Sequence, residues 1–307
     1  MRAFLFPGQG SQYVGMARDL YDTNSIARDI IDRADGVLGT KLSWTMFEGP
    51  EEELRQTANA QPAIFLHSYV LYQLLENPAP EMAAGHSLGE YTALTVANAL
   101  TFDDALRLVQ LRGASMQEAG TINPGTMAAI IGLGDEVVER ICREVASEMG
   151  MVQSANFNAP GQVVVSGAPA AVEEVMRRTK EAGARMAKQL NVSGAFHSPL
   201  MEPAREKLVA ALAETPVHDA EFPVWANVTA GPVRTAAEIR DVLLKQLTAP
   251  VRWTDSMRGM AAAGASEYIE VGPGSVLQGL AKRIIEGGVI RGVEKPEQVE
   301  QFNIGTE

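Results

Sequence analysis

The chain has 307 residues, 46% hydrophobic and 21% charged, which is enough apolar material to bury one large core or two unequal ones. Its formal net charge of -12 opposes binding to phosphate backbones and anionic lipid, so no nucleic acid and no membrane are expected as partners. The single cysteine, Cys142, excludes an intramolecular disulfide and any multi-cysteine metal site. No apolar run reaches the ~18 residues of a membrane span or resembles a signal peptide, so a cytoplasmic location is expected.

In chain order, residues 2–6 (RAFLF) read as a buried strand closed by the turn formers Pro7, Gly8, Gln9 and Gly10. Residues 61–75 (QPAIFLHSYVLYQLL) are apolar on most sides. With Pro62 near a first helical position, they predict a buried helix starting close to Gln61. EMAAG at 81–85 predicts a short strand that leads into a helix over SLGEYTALTVANAL at 87–100. Strands alternating with helices in this way point to a mainly parallel sheet covered by helices.

The middle of the chain has a different rhythm. Residues 127–133 read as a strand and 135–149 as a helix, in which Val138, Ile141, Cys142, Val145 and Met149 recur at helical spacing, so Cys142 is read as packing. MVQSANFN and QVVVSGA make two strands around a turn at Ala159, Pro160 and Gly161. A helix over 169–183 and a strand in ARMAKQLNV follow. The order strand, helix, strand, strand, helix, strand is that of a ferredoxin-like unit, assigned to residues 126–193. WANVT, AEIRDVLLKQLTAP and YIEVG then resume the strand–helix–strand pattern. The expected architecture is α/β: a discontinuous large domain (1–125 and 194–307) with a parallel sheet, interrupted by a small ferredoxin-like domain, with a ligand groove between them.

Gly85-His86-Ser87-Leu88-Gly89 fits G-x-S-x-G between the strand at 81–85 and the following helix. The flanking glycines allow the sharp turn that exposes a serine hydroxyl, and the helix start offers free N–H groups to a developing oxyanion. Ser87 is therefore the candidate nucleophile, and it needs a base. Of the four histidines, His67 lies in an apolar helix, His218 in a polar connection, and His86 is the nucleophile's own neighbour. His197 remains, at the junction where the small domain rejoins the large one, followed by Ser198 as a helix cap and Pro199 at a first helical position.

The backbone N–H of Leu88, directly after the nucleophile, is one candidate oxyanion donor, and Gln9 in the turn after the first strand is the second. Arg112 sits among Leu108, Val109 and Leu111 and must be paired. Residue chemistry alone leaves two partners open: a glutamate within the fold, or a substrate carboxylate gripped by the guanidinium fork.

FPGQGSQ, QPA at 61–63, GHSLGE at 85–90, LRGASMQ at 111–117, NFNAPGQVVVSG at 156–167, GAFHSPLM at 194–201, QLTAPVRW at 246–253 and EVGPG at 270–274 occur in one order. Together they resemble the malonyl-CoA:acyl-carrier-protein transacylase family from about residue 2 to residue 286. The resemblance implies an α/β-hydrolase-like fold with a ferredoxin-like insertion. It implies a Ser87–His197 pair without an acidic third member, and backbone N–H groups of Gln9 and Leu88 as the oxyanion hole. Arg112 is implied to hold the malonyl carboxylate, the Gln246 backbone carbonyl to orient His197, and Phe196 to disfavour a 2-methyl group. Ala249 departs from the asparagine common in the family, at a loop whose implied role is a backbone one.

The partners implied are malonyl-CoA as substrate and a phosphopantetheinylated acyl carrier protein. No permanently bound cofactor and no metal are implied, and a monomer is expected. The activity implied is malonyl transfer through a malonyl-serine intermediate, supplying fatty acid synthesis. A stand-alone acyltransferase serving a polyketide synthase has identical chemistry, and a serine hydrolase or thioesterase would use the same pair with water as acceptor. Lys282 and Arg283 are a candidate basic dock for the carrier.

Overall fold

The computed structural model describes residues 1–305. Among the described residues ten strands form two sheets: β1 (Arg2–Phe6), β2 (Met82–Gly85), β3 (Thr126–Ile131), β4 (Val152–Ala159), β5 (Gln162–Gly167), β6 (Met186–Gln189), β7 (Val224–Trp225), β8 (Pro232–Val233), β9 (Glu267–Val271) and β10 (Val289–Val293). The larger sheet runs β10-β9-β1-β2-β7-β8 and is parallel except for β8 at its edge. In β1 the side chains alternate between two apolar layers. Phe4 and Phe6 enter the larger cluster with Ile64 and Phe65, while Ala3 and Leu5 enter a smaller one with Trp253 and Tyr268. Burial on both faces explains why the strand is a continuous apolar run rather than an alternating one.

The smaller sheet is antiparallel, in the order β4-β5-β3-β6. Two helices, Asp135–Met149 and Pro169–Glu181, cover it, and Cys142 is buried between helix and sheet with Val138, Ile141 and Val145. That strand order with two helices is the ferredoxin-like arrangement. The two bodies meet along β4: Asn156 bridges Val251, Phe157 N donates to Val251 O at 2.9 Å, and Val251 N donates to Ala155 O at 2.8 Å. Arg283 adds a link, donating to Pro160 O at 3.0 Å and to Gln162, so it is a tie to the β4–β5 turn rather than a free surface cation.

Several element limits differ from those read in the sequence. The helix expected from Gln61 begins at Thr57, so Pro62 lies inside it. Its first turn is pinned from outside: Ala58 N donates to Gln117 Oε1, and Gly113 of the neighbouring Phe102–Ile122 helix packs so closely that a Cβ there would lie 2.6 Å from Thr57 O. Tertiary contact thus outweighs the one hydrogen bond that the proline forfeits. The helix after Ser87 ends at Val96, because Asn98 takes φ 58° and reverses the chain. The strand expected over WANVT shortens to Val224–Trp225, and Asn227 is spent on the turn at Ser87 instead.

β1 and β2 are in register from Ala3–Met82 to Phe6–Gly85. Their C-terminal ends therefore coincide, and the loops carrying Gln9 and Ser87 leave the same edge of the sheet, where α/β folds place their ligands.

Candidate active site

Ser87 occupies the turn between β2 and the Gly89–Val96 helix with φ 53°, a left-handed conformation that a non-glycine residue holds only when its surroundings impose it. Close packing imposes it here: a Cβ on Gly89 would lie 2.1 Å from Phe6 O, and one on Gly8 would lie 2.4 Å from His86 O. The two loops thus interlock backbone to backbone. Asn227 completes the clamp, accepting from Ser87 N through Oδ1 at 2.7 Å and donating through Nδ2 to Gly85 O at 2.7 Å.

His197 also has a positive φ, 56°. Gln153 of β4 donates to its main-chain oxygen at 2.8 Å, so the small sheet holds the histidine backbone. The ring spans two partners: Nδ1 lies 2.9 Å from the Gln246 main-chain oxygen and Nε2 lies 2.8 Å from Ser87 Oγ. A carbonyl oxygen can only accept, so the proton sits on Nδ1 and the Nε2 lone pair faces the serine.

Arg112 is fully buried, and its Nη2 donates to Ser87 Oγ at 3.1 Å and to Gln246 Oε1 at 2.9 Å, while Nη1 donates to Gln61 Oε1 at 2.7 Å. Because the guanidinium only donates, the Ser87 hydroxyl proton is left to point at His197. The arginine also lies over the Tyr91 ring, 5.6 Å from its centroid. The glutamate left open by the sequence is not its direct contact: among the described residues its hydrogen bonds go to neutral groups. An acidic group, Glu90, is reached through the Gln246 amide.

The electrostatics follow from burial. Burial, and then the Arg112 charge, push His197 down to about 3, so the ring is neutral and its Nε2 lone pair is free to accept the serine proton. Burial likewise pushes Glu90 up to about 7, opposed by its hydrogen bonds from Gln246 and Asn227 and by Arg112. His86 is lowered by burial, and its Nε2 meets Asn158 Oδ1 at 2.8 Å.

The site opens into a cavity of about 530 Å³. Gln9, His86, Ser87 and His197 are among its polar lining residues, and Met116, Met127, Val164 and Phe196 are among its apolar ones. The structure therefore brings Gln9, Ser87, Leu88, Arg112, Phe196, His197 and Gln246 to one place, with Arg112 behind Ser87 rather than on the cavity wall. The main-chain N–H groups of Gln9 and Leu88 donate to no described residue, unlike those of Ser87, Gly89 and Gly10 beside them. The Gln9 side chain is held aside by Thr57 Oγ1 at 3.1 Å. His67 lies in the core and His218 is exposed.

Sequence reasoning missed Gln61, Glu90, Asn227 and the Gln246 side chain, all fully or almost fully buried. Gln61 and Glu90, like Arg112, are polar side chains in apolar helices and must find partners there.

An acyl transferase domain model matches residues 3–297. A malonyl CoA-acyl carrier protein transacylase of Bacillus subtilis is 44% identical over 300 residues, covering 97% of this chain and 95% of that protein. A protein of the same name from Staphylococcus aureus is 39% identical, covering 98% of each chain. Among solved structures, an acyl-carrier-protein S-malonyltransferase from Burkholderia pseudomallei superposes with a TM-score of 0.93 at 41% identity, covering 98% of each chain. A malonyl-transacylase in complex with its type II polyketide-synthase acyl-carrier protein superposes at 0.95 with 40% identity, covering 99% of each.

Proposed function

The chain belongs to the malonyl-CoA:acyl-carrier-protein transacylase family, and we propose that it moves a malonyl group from coenzyme A to an acyl carrier protein through Ser87. The observation that carries this reading is the position of Ser87 Oγ, 2.8 Å from His197 Nε2 and 3.1 Å from Arg112 Nη2.

The reaction follows from those contacts. Ser87 Oγ attacks the thioester carbonyl as its proton passes to His197 Nε2, and the resulting imidazolium is stabilised through Nδ1–H by the Gln246 carbonyl. The carbonyl oxygen becomes an oxyanion, received by the free N–H groups of Gln9 and Leu88 at the start of the Gly89–Val96 helix. The tetrahedral adduct collapses, the C–S bond breaks, and the leaving thiolate of coenzyme A takes the proton back from His197. A malonyl ester on Ser87 remains. Its free carboxylate needs a cation in a dry site, and Arg112 supplies a fork there by exchanging its bond to Oγ for the carboxylate oxygens. The carrier's phosphopantetheine thiol then repeats the steps in reverse, with His197 again taking and returning the proton. The domain limits 1–125 with 194–307, and 126–193, accompany this reading, with both catalytic groups in the larger unit.

Mass spectrometry of the protein after exposure to malonyl-CoA tests it. A malonyl adduct on Ser87 that persists in buffer and discharges when holo acyl carrier protein is added is expected. No adduct, or loss to water as fast as to the carrier, would overturn it, the second outcome pointing to a hydrolase. Fatty acid synthesis is the expected destination. The relative solved with a type II polyketide-synthase carrier favours testing such a carrier beside a fatty-acid one.

A further inference from the structure

Glu90 follows the nucleophile turn by three residues and is fully buried on the first turn of the Gly89–Val96 helix. Its two oxygens are used unequally. Oε2 accepts from Asn227 N at 3.0 Å and from Gln246 Nε2 at 2.8 Å, whereas Oε1 has no partner among the described residues. A buried carboxylate is costly, and a helix start alone does not require it to be fully enclosed. Its contact with Gln246 supplies a reason.

The Gln246 amide is surrounded by partners that allow one orientation only. Its Nε2 faces two acceptors, Glu90 Oε2 and Ser87 O, at 2.8 and 2.9 Å, and its Oε1 faces the Arg112 guanidinium at 2.9 Å. Turning the amide over would set oxygen against oxygen and N–H against N–H. Gln246 also supplies the main-chain oxygen that faces His197 Nδ1. One residue therefore touches the arginine, the histidine and the serine backbone, and Glu90 holds its side chain.

We propose that Glu90 is a positioning residue for acyl transfer, fixing the Gln246 amide so that Gln246 Oε1 keeps the Arg112 guanidinium beside Ser87. The proposal rests on the transacylase reading above, in which Arg112 receives the malonyl carboxylate. Without an acceptor at Glu90 Oε2 the amide keeps only Ser87 O on its Nε2 side, and the hold of Gln246 Oε1 on the Arg112 guanidinium loosens. Chemistry that needs a carboxylate partner should suffer more than chemistry that does not. The carboxylate's charge is secondary, because a proton or an NH2 group at the unpartnered Oε1 position leaves both bonds at Oε2 intact.

The test is single-turnover acylation of Ser87 by malonyl-CoA and by acetyl-CoA, normalised to the active fraction titrated with a serine-reactive fluorophosphonate. Glu90→Leu should slow malonyl acylation about tenfold or more, the scale of a lost buried hydrogen bond to a charged group, and acetyl acylation distinctly less. Glu90→Gln, which keeps the acceptor oxygen, should recover most of the malonyl rate. In a Gln246→Leu background the Glu90→Leu change should add little. Equal loss for both acyl groups, no loss for either, Glu90→Gln as slow as Glu90→Leu, or full additivity with Gln246→Leu would each overturn the proposal. Should Glu90→Leu fail to fold, Glu90→Asp withdraws the same acceptor by one methylene, and the malonyl-against-acetyl comparison decides in the same way. A wild-type protein that forms no malonyl ester would instead overturn the transacylase reading itself.

Discussion

Arg112 Nη2 donates to Ser87 Oγ across 3.1 Å although the arginine has no exposed surface. A buried cation with neutral direct partners stays only if the site has a use for its charge. Two states of the reaction supply one: the serine oxygen as it loses its proton, and the carboxylate of the malonyl ester. Arg112→Ala should cost malonyl transfer roughly 2–4 kcal/mol in kcat/KM, the range for removing one member of a buried charge pair. Acetyl transfer should fall less, because only the first use is lost. Steady-state kinetics with the two thioesters check this, and equal losses would make the arginine structural. Arg112→Lys should restore part of the loss only, since an ammonium lacks the planar fork that also reaches Gln61 and Gln246.

Burial and the Arg112 charge hold His197 at about 3, so in the free enzyme the base form is fully present from neutral pH down to about pH 5. Single-turnover acylation of Ser87 should therefore show no acid limb between pH 8 and 5. A limb near 6.5, the value of an unperturbed histidine, would contradict the assignment. Glu90, pushed up to about 7, titrates inside that window, but a proton on its unpartnered Oε1 leaves both bonds at Oε2 in place. Arg112→Met removes the second cause of the His197 depression and should move the acid limb upward. The direction distinguishes the charge effect from burial alone.

Much of this site was legible in the sequence because its chemistry is local. The turn at Ser87 is signalled by two glycines around a serine between a strand and a helix, and Arg112 by a cation in an apolar stretch. The elements that extend or stop for tertiary reasons were not legible. Thr57 joins its helix because Gly113 and Gln117 of another helix press on that turn, and β7 ends after Trp225 because Asn227 turns to clamp Ser87 across 140 positions of sequence. Gln246 shows the same limit within one residue. The family resemblance implies its main-chain oxygen, but the side-chain bonds to Arg112, Glu90 and Ser87 depend on a packing that no local pattern records.

His67 offers a prediction about stability that is independent of catalysis. It is fully buried in the Thr57–Gln73 helix, with Nε2 3.3 Å from Glu294 O and no partner at Nδ1 among the described residues, and burial pushes it down to about 4. The folded protein keeps this ring neutral, while the unfolded chain takes up a proton near 6.5. Its contribution is therefore complete above pH 6.5 and is lost progressively as the pH falls from 6.5 towards 4, with a limiting slope of about 1.4 kcal/mol per pH unit for one proton. His67→Leu removes that proton and gives up one long hydrogen bond. Its melting temperature should fall less than the wild-type value between pH 7 and 5. Parallel curves would show that His67 is not the group responsible.

Phe196 precedes the base in sequence and lines the cavity with Met116, Met127 and Val164, only 6% exposed. A malonyl group on Ser87 has hydrogens on its middle carbon, and a methyl there adds volume in a space already bounded by this ring. Packed interiors tolerate an added methyl poorly, and discrimination by one methylene is worth roughly 1–3 kcal/mol. Phe196→Ala should therefore raise kcat/KM for methylmalonyl-CoA relative to malonyl-CoA by about 10- to 100-fold, most of it from better use of the larger substrate. The carboxylate is common to both substrates, so Arg112 contributes equally and drops out of the ratio. Removing the ring also costs stability, but less than the roughly 3–5 kcal/mol of a fully enclosed phenylalanine, because one side of it already borders the cavity. Competition between the two thioesters in one reaction, read from the mass of the acyl group on Ser87, measures the ratio directly and is unaffected by any loss of folded enzyme. An unchanged ratio would place the limit on the 2-substituent elsewhere along the wall, at Met116 or Met127.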